Sequence, residues 1–382
     1  MNAKGNNSMA IDSGDANPSI IHKDQKCLII GPSWVGDMVM AQSLFMVLKQ
    51  QNPELQIDVM APSWSNALLE RMPEVSNVLA MPLGHGQLQL KLRYQLGCSL
   101  RNKHYDRVIL LPNSLKSALI PFWANIPLRT GYLGEMRYGL LNDIHKLNKT
   151  LLTMTVQRFV ALALTKKTLF DKQQIALENI PVPALRVSAE QVAISLEKFH
   201  LRRQKKVLAL CPGAEYGPAK QWPARHYARL AQQIITEKLA TQDDWQVWIF
   251  GSQNDQAIGE HIKDLLSEQN LTDQVVNLCG QTQLAEAIDL MSVSQAVVSN
   301  DSGLMHMGAA LGVNVVGLYG SSDPNFTPPL GQHSRTLSLN MDCSPCFKRV
   351  CPLGHTDCLA KLEPRQVYAS LLTLQAKQAV SE

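Results

Sequence analysis

Three short polar segments hold the residues with chemistry to offer. In Gly31-Pro32-Ser33-Trp34-Val35-Gly36-Asp37-Met38 an acid follows an apolar run. Asp37 there reads either as a general base able to take a hydroxyl proton or as the cap of a helix starting at Met38. In Cys211-Pro212-Gly213-Ala214-Glu215-Tyr216-Gly217-Pro218-Ala219-Lys220-Gln221-Trp222-Pro223, glycines and prolines shape a tight loop that brings backbone donors to a phosphate. Lys220 supplies a cation whose help grows as a leaving diphosphate gains charge, and surface decoration is the competing reading. The third segment is Asn300-Asp301-Ser302-Gly303-Leu304-Met305-His306. Turn and cap residues there precede a small-residue helix, so free N–H groups and a positive dipole end point at an anion. Ser302 adds a hydroxyl, Gly303 permits close approach and His306 leans toward the same spot, unless Asp301 merely caps the helix.

These segments need elements that bring their ends together. Strands are expected at Cys27 to Ile30, Ile57 to Ala61, Asp106 to Leu111, Lys206 to Leu210, Trp245 to Phe250, Val275 to Leu278, Ala296 to Val298 and Val313 to Tyr319, each an apolar run of parallel-sheet type. Helices alternate with them, among them Met38 to Gln50, Ala224 to Glu237, Gln256 to Glu268 and Leu284 to Met291. Two such alternating series imply an α/β chain with two Rossmann-like parallel-sheet domains facing across a cleft. The expected divisions are a disordered tail (1–24), an N-terminal domain (25–187), a C-terminal domain (188–362) and a terminal helix (363–382). The break falls near Pro181-Val182-Pro183, before a capping-box pattern at Ser188 and Gln191. Each chemical segment follows a strand, where αβ ligands sit. A further one, Phe250-Gly251-Ser252-Gln253-Asn254-Asp255, offers Asp255 to a ribose hydroxyl or to helix capping. Gly280 to Thr282 and Met291 to Val293 are placed near a base pocket by position alone.

At 382 residues, 45% of them apolar and 18% charged, the chain is globular, and no run of 18 apolar residues marks a membrane span. No apolar leader precedes the first strand, so a cytoplasmic setting with reduced cysteines is expected. The net charge of +4 conceals ten Lys/Arg against three Asp/Glu between Gly86 and Thr150. That excess, beside the apolar Ala118 to Trp123, suits an anionic lipid surface or a phosphorylated acceptor, or else is a solvated face. Aromatics are not interleaved with the cations, so nucleic acid is not the expected partner. Cys343, Cys346, Cys351 and Cys358 admit a structural zinc site, packed thiols or disulfides; the spacing leaves all three open.

The residues alone reach a phosphate-binding α/β protein. Asp301-Ser302-Gly303-x-x-His306, with Val315-Val316-Gly317-Leu318-Tyr319-Gly320 and Ser321-Ser322-Asp323-Pro324 after it, resembles the heptosyltransferases of lipopolysaccharide inner-core synthesis, glycosyltransferase family 9. Gly36-Asp37, Lys220-x-Trp222-Pro223 and the cysteine segment are similar too, the last to the second-heptose enzymes. The resemblance runs from about Lys26 to the C-terminus. It implies a GT-B-like fold whose final helix crosses back to brace the first domain. It also implies inverting transfer of L-glycero-D-manno-heptose from ADP-heptose to heptosylated Kdo-lipid A, with no cofactor required. Asp37 is then the base and Lys220 the partner of the diphosphate. Gly213, Ala214, Gly251, Asp255, Asp301, Ser302, Gly303 and His306 hold the donor. Trp34, Gly36, Lys116 and Arg129 are the acceptor-side candidates, and the lipid acceptor places the protein peripherally on the cytoplasmic face of the inner membrane. A first-heptose enzyme, a nucleotide-sugar 2-epimerase and a non-catalytic nucleotide-binding protein remain the alternatives.

Overall fold

The computed structural model describes residues 25–84, 86–164, 175–202, 205–237 and 244–381, with side chains through 378. The expected tail, 1–24, lies outside these. In chain order the first half carries β1 (Lys26–Ile30), α1 (Val35–Gln51), β2 (Gln56–Ala61), α2 (Asn66–Leu69), β3 (Asn77–Ala80), α3 (Leu90–Leu100), β4 (Arg107–Leu110), α4 (Leu115–Trp123), β5 (Leu128–Tyr132), β6 (Asp143–His145) and α5 (Thr155–Val160). The second half carries α6 (Ala189–Lys198), β7 (Lys206–Cys211), α7 (Ala224–Glu237), β8 (Trp245–Ile249), α8 (Gln256–Ser267), β9 (Val275–Asn277), α9 (Leu284–Met291), β10 (Ala296–Asn300), α10 (Gly303–Ala310), β11 (Asn314–Leu318), β12 (Ser334–Leu337), α11 (Asp357–Ala360) and α12 (Pro364–Ser381).

The first sheet runs β3-β2-β1-β4-β5-β6 and the second β12-β11-β10-β7-β8-β9. Every named pairing is parallel. Counting strands within each half, both sheets have the same order, and each reverses direction of winding beside its own first strand, between β1 and β4 and between β7 and β10. Such reversals leave a crevice at the carboxyl ends of the strands. The fully buried runs Cys27-Leu28-Ile29, Leu208-Ala209-Leu210 and Ala296-Val297-Val298 explain why these strands are central: helices cover both faces, so no alternation survives.

The halves are joined behind the cleft as well as facing across it. One apolar cluster includes Ile29, Met38 and Phe45 from the first half and Val297, Met305 and Val315 from the second. Arg71 forms a buried ion pair with Asp289 of α9 at 2.5 Å. Gln42 and Ser43 of α1 hold the connecting segment, Gln42 exchanging bonds with the backbone of Ala184 and Ser43 donating to the carbonyl of Pro181. That connection then bonds both ways, Leu185 N–H to Ala310 and Arg186 N–H to Arg71.

The terminal helix corrects the expected crossing. α12 packs on α7, β11 and β12 of the second half. Val367, Leu371 and Leu374 recur at one helical face and are buried with Trp222 and Leu208, so their stripe is satisfied within the second core. Asn314 of β11 adds a bond to Gln378.

Candidate active site

A cavity of about 670 Å³ opens where the two carboxyl edges face each other. It lies within the size range of small-molecule sites. Trp34, Val35, Gly36 and Asp37 line it from the first half. Gly213, Tyr216, Lys220, Gly251, Asp255, Asp301, Ser302, Gly303 and His306 line it from the second. Thus Asp37, Lys220, the three-residue helix start and both expected glycine turns converge, and they do so because each follows a strand at a sheet's reversal point or next to it.

Helix α1 begins at Val35 with Trp34 as its cap residue, three residues earlier than expected. Asp37 therefore sits inside the first turn, and no side chain caps the helix. Burial chiefly, and then the Asp301 carboxylate, push the Asp37 carboxyl up to about 6, while Lys220 pulls it down. A carboxylate held near neutrality suits general-base work better than one at its ordinary value. Asp37, Asp301 and Lys220 are thus within electrostatic reach of one another.

Helix α10 begins at Gly303 after Ser302, whose backbone is extended, and no side chain caps this helix either. Its first N–H groups are left to the cavity. Ser302 Oγ lies 3.1 Å from Ser299 Oγ, which orients it. Gly303 permits direct contact with the other half: a Cβ there would meet that of Val35 at 2.6 Å. Gly36 is constrained in the same way, since its Cβ would lie 2.6 Å from Cδ2 of His306.

Several donor-side expectations change in detail. Asp301 neither caps α10 nor turns to an anion, because its Oδ2 accepts from Lys220 Nζ at 2.5 Å. A carboxylate only accepts hydrogen bonds, as phosphate oxygens do, so its place is to hold Lys220. His306 is buried, and burial first of all lowers its pKa to about 4, so a neutral ring lines the cavity and packs on Gly36. Asp255 accepts from the N–H and hydroxyl of Ser252, capping its own turn. Gly213 and Gly251 make room for it, Gly213 most tightly, where a Cβ would lie 2.5 Å from Asp255. Ala214 is buried beside the cavity without lining it. Met291 is fully buried, whereas Thr282, Gln283, Leu284 and Ala287 reach the cavity, with Phe250 as a further apolar wall.

On the acceptor side, Trp34 is about half exposed at 48% and stands at the mouth. Arg129 is a correction. It lies near the start of β5, the far end from the cleft, and donates to the carbonyls of Leu140 and Ile126 while covering the Phe122 ring. Lys116 stands on the first turn of α4 and does not line the cavity. The cysteines at 343, 346, 351 and 358 are free thiols. Among the described residues no three His, Cys, Asp or Glu side chains converge as a metal site requires. Cys351 instead faces the backbone amides of 353–356, that of Thr356 foremost, which lower its pKa.

Sequence reasoning missed Asn300. Its amide oxygen accepts from Trp222 N–H (3.0 Å) and Tyr227 O–H (3.0 Å), and its nitrogen donates to Pro212 and Gly213 carbonyls. One side chain thus ties the loop of Gly213 to the segment after Lys220. Only its place at the end of β10 hinted at this.

Comparison with known proteins adds to this geometry. The profile of glycosyltransferase family 9 (heptosyltransferase) matches residues 93–357. Lipopolysaccharide heptosyltransferase 2 of Salmonella typhimurium is 46% identical over 356 residues, 93% of this chain and 100% of that protein. Lipooligosaccharide heptosyltransferase 2 of Haemophilus influenzae is 50% identical over 319 residues, covering 82% and 88%. The solved structure of E. coli ADP-heptose lps heptosyltransferase II superposes with a TM-score of 0.80 at 42% identity, covering 93% of this chain and 99% of that one.

Proposed function

The chain belongs to glycosyltransferase family 9, the heptosyltransferases of lipopolysaccharide synthesis, and has their two-sheet GT-B architecture; from that premise we propose that it moves L-glycero-D-manno-heptose from ADP-heptose to the heptosylated Kdo-lipid A inner core, adding the second heptose by a single inverting displacement. One observation carries the reading. A carboxylate raised toward neutrality and a cation beside an uncapped helix start share one cavity, each presented by a different sheet.

The donor's diphosphate rests against the first N–H groups of α10, the Ser302 hydroxyl and Lys220. The apolar wall of Phe250, Leu284 and Ala287 takes the adenine, with Asp255 in reach of the ribose. The acceptor hydroxyl enters from the side of Trp34 and gives its proton to Asp37 as its oxygen bonds to the anomeric carbon. The bond from that carbon to the diphosphate oxygen breaks at the same time, and ADP leaves with the electron pair. Charge develops on the departing oxygens, where the helix dipole and Lys220 act most strongly. These groups supply the stabilisation a divalent cation gives elsewhere, so the reaction is proposed to need no bound metal.

The acceptor is a lipid, and no helix among the described residues is long and apolar enough to cross a membrane. Peripheral contact with the cytoplasmic face of the inner membrane is therefore part of the proposal. Eight of the sixteen large apolar side chains exposed among the described residues fall between Leu88 and Tyr138, Met136 at 79% and Tyr138 at 67% being the barest. Arg93 draws Leu88 and Lys116 together through their carbonyls, and Glu135 accepts from the N–H of Leu115, so the segments of Leu88, Leu115 and Met136 are neighbours. Apolar side chains beside Lys91 and Lys116 match an anionic bilayer surface.

Incubating the purified protein with ADP-heptose and mono-heptosylated Kdo-lipid A tests the reaction by mass spectrometry. A gain of one heptose with release of ADP is expected. Consumption of the donor without acceptor would favour epimerisation, and no reaction at all would overturn the proposal.

A further inference from the structure

The loop that carries Lys220 is held from outside the cavity. Gly217, at φ 150°, lies so close to the backbone of Arg349 that a Cβ would meet its carbonyl oxygen at 2.5 Å. Ala219 N–H donates to that same carbonyl (3.0 Å), and Tyr216 O–H donates to the carbonyl of Phe347 (2.9 Å). Phe347 N–H is fixed in turn to Ser321 beyond the end of β11 (2.7 Å). The Tyr216 ring receives two cations, the Arg349 guanidinium at 5.1 Å and the Lys220 ammonium at 5.2 Å. A flexible lysine with Asp301 as its sole partner would follow that carboxylate. An aromatic ring attracts the ammonium without neutralising it, so the charge stays available to an incoming anion.

The geometry points to Tyr216 as a positioning residue, through which the cysteine-bearing segment from Cys343 to Cys358 sets the place of the Lys220 ammonium opposite the departing diphosphate. This rests on the proposed meeting of Lys220 with the diphosphate. Tyr216 lines the cavity, yet its hydroxyl is directed to Phe347, so its influence on the reaction passes through Lys220. The segment, remote in sequence from the loop, thereby acquires a part in turnover that its cysteines alone do not suggest.

A double-mutant cycle on the full chain tests it, with kcat and donor KM measured at saturating acceptor and ADP affinity measured separately. Tyr216→Leu is expected to lower kcat roughly tenfold in the native background and by less than about twofold when Lys220→Ala is already present. Tyr216→Phe keeps the ring and is expected to stay within about threefold of native kcat. Arg349→Lys is expected to retain more activity than Arg349→Ala. Should Tyr216→Leu fail to fold, Arg349→Ala takes its place in the cycle. An equal fold loss with and without Lys220, in a protein where Lys220→Ala is itself impaired, overturns the role of Tyr216 alone. An unchanged kcat in Lys220→Ala removes the parent reading and this one with it.

Discussion

Asp37, the proposed base, shows how a side chain can work against the fold that holds it. Its carboxyl is raised from 3.8 to about 6, so its proton stabilises the native state fully below pH 3.8 and that contribution is lost as pH rises through about 6. At neutral pH the charged group is therefore a burden. Asp37→Asn is expected to raise stability there by up to about 3 kcal/mol, two pKa units, in a urea titration. On the proposed mechanism the same titration governs the rate: kcat/KM is expected to fall with unit slope as pH drops through about 6, since only the anion takes a proton. A profile flat from pH 5 to 8 would count against Asp37. Asn300 is the complementary case, a side chain using both ends of its amide. Asn300→Asp keeps the shape but turns a donor into an acceptor facing two carbonyls. A loss of about 2–4 kcal/mol is expected in thermal melts, along with weaker ADP binding. Neither the partners of Asn300 nor Phe347 and Arg349, the partners of Tyr216 outside its own loop, were legible, because they lie scores of residues away. The place of Asp37, Lys220 and Ser302 beside the cavity was, because each belongs to a strand-to-helix connection, or to the first helical turn after it, whose residue types have few structural uses.

At the scale of elements, the central runs and the edge strand β9 could be read, whereas β3, β5, β6 and β12 could not. β1, β7 and β10 each contain a fully buried apolar run of at least three residues, whereas β3 (Asn-Val-Leu-Ala), β6 (Asp-Ile-His) and β12 (Ser-Arg-Thr-Leu) are short, partly exposed and held by pairing with a neighbour already in place. α12 was found in the right place in sequence but docked on the wrong core, since a stripe of apolar residues says that a surface is covered and not which one. α1 and α10 are tightly constrained, since their first turns touch through Gly36 and Gly303. Gly36→Ala must displace the His306 ring, and Gly303→Ala must displace Val35. Each is expected to cut kcat by roughly tenfold to a hundredfold, because an ångström of misplacement at reacting groups has effects of that order. Circular dichroism should show the fold retained; native kcat in both variants would mean that the contact of α1 with α10 does not set the geometry.

For the whole molecule, the question is what keeps two sheets at a working distance. The shared apolar core, the connection threaded between Ala310 and Arg71, and the Arg71–Asp289 pair hold the rear of the cleft. Removing one member of a buried pair strands the other, so Asp289→Ala is expected to lose about 3–5 kcal/mol in denaturant unfolding, well beyond the value of a surface ion pair. On the outer face, Met136→Ser with Tyr138→Ser is expected to reduce flotation with phosphatidylglycerol vesicles while leaving activity on a detergent-dispersed acceptor intact.

The proposed division of labour across the cleft is reached most directly by Asp37→Asn assayed beside the native protein. At saturating ADP-heptose and acceptor, with donor affinity measured in parallel, the expected result is unchanged donor binding and a fall in heptose transfer of roughly 10²–10⁴-fold. Turnover within a few-fold of native, with the substituted protein folded and donor-bound, would contradict it.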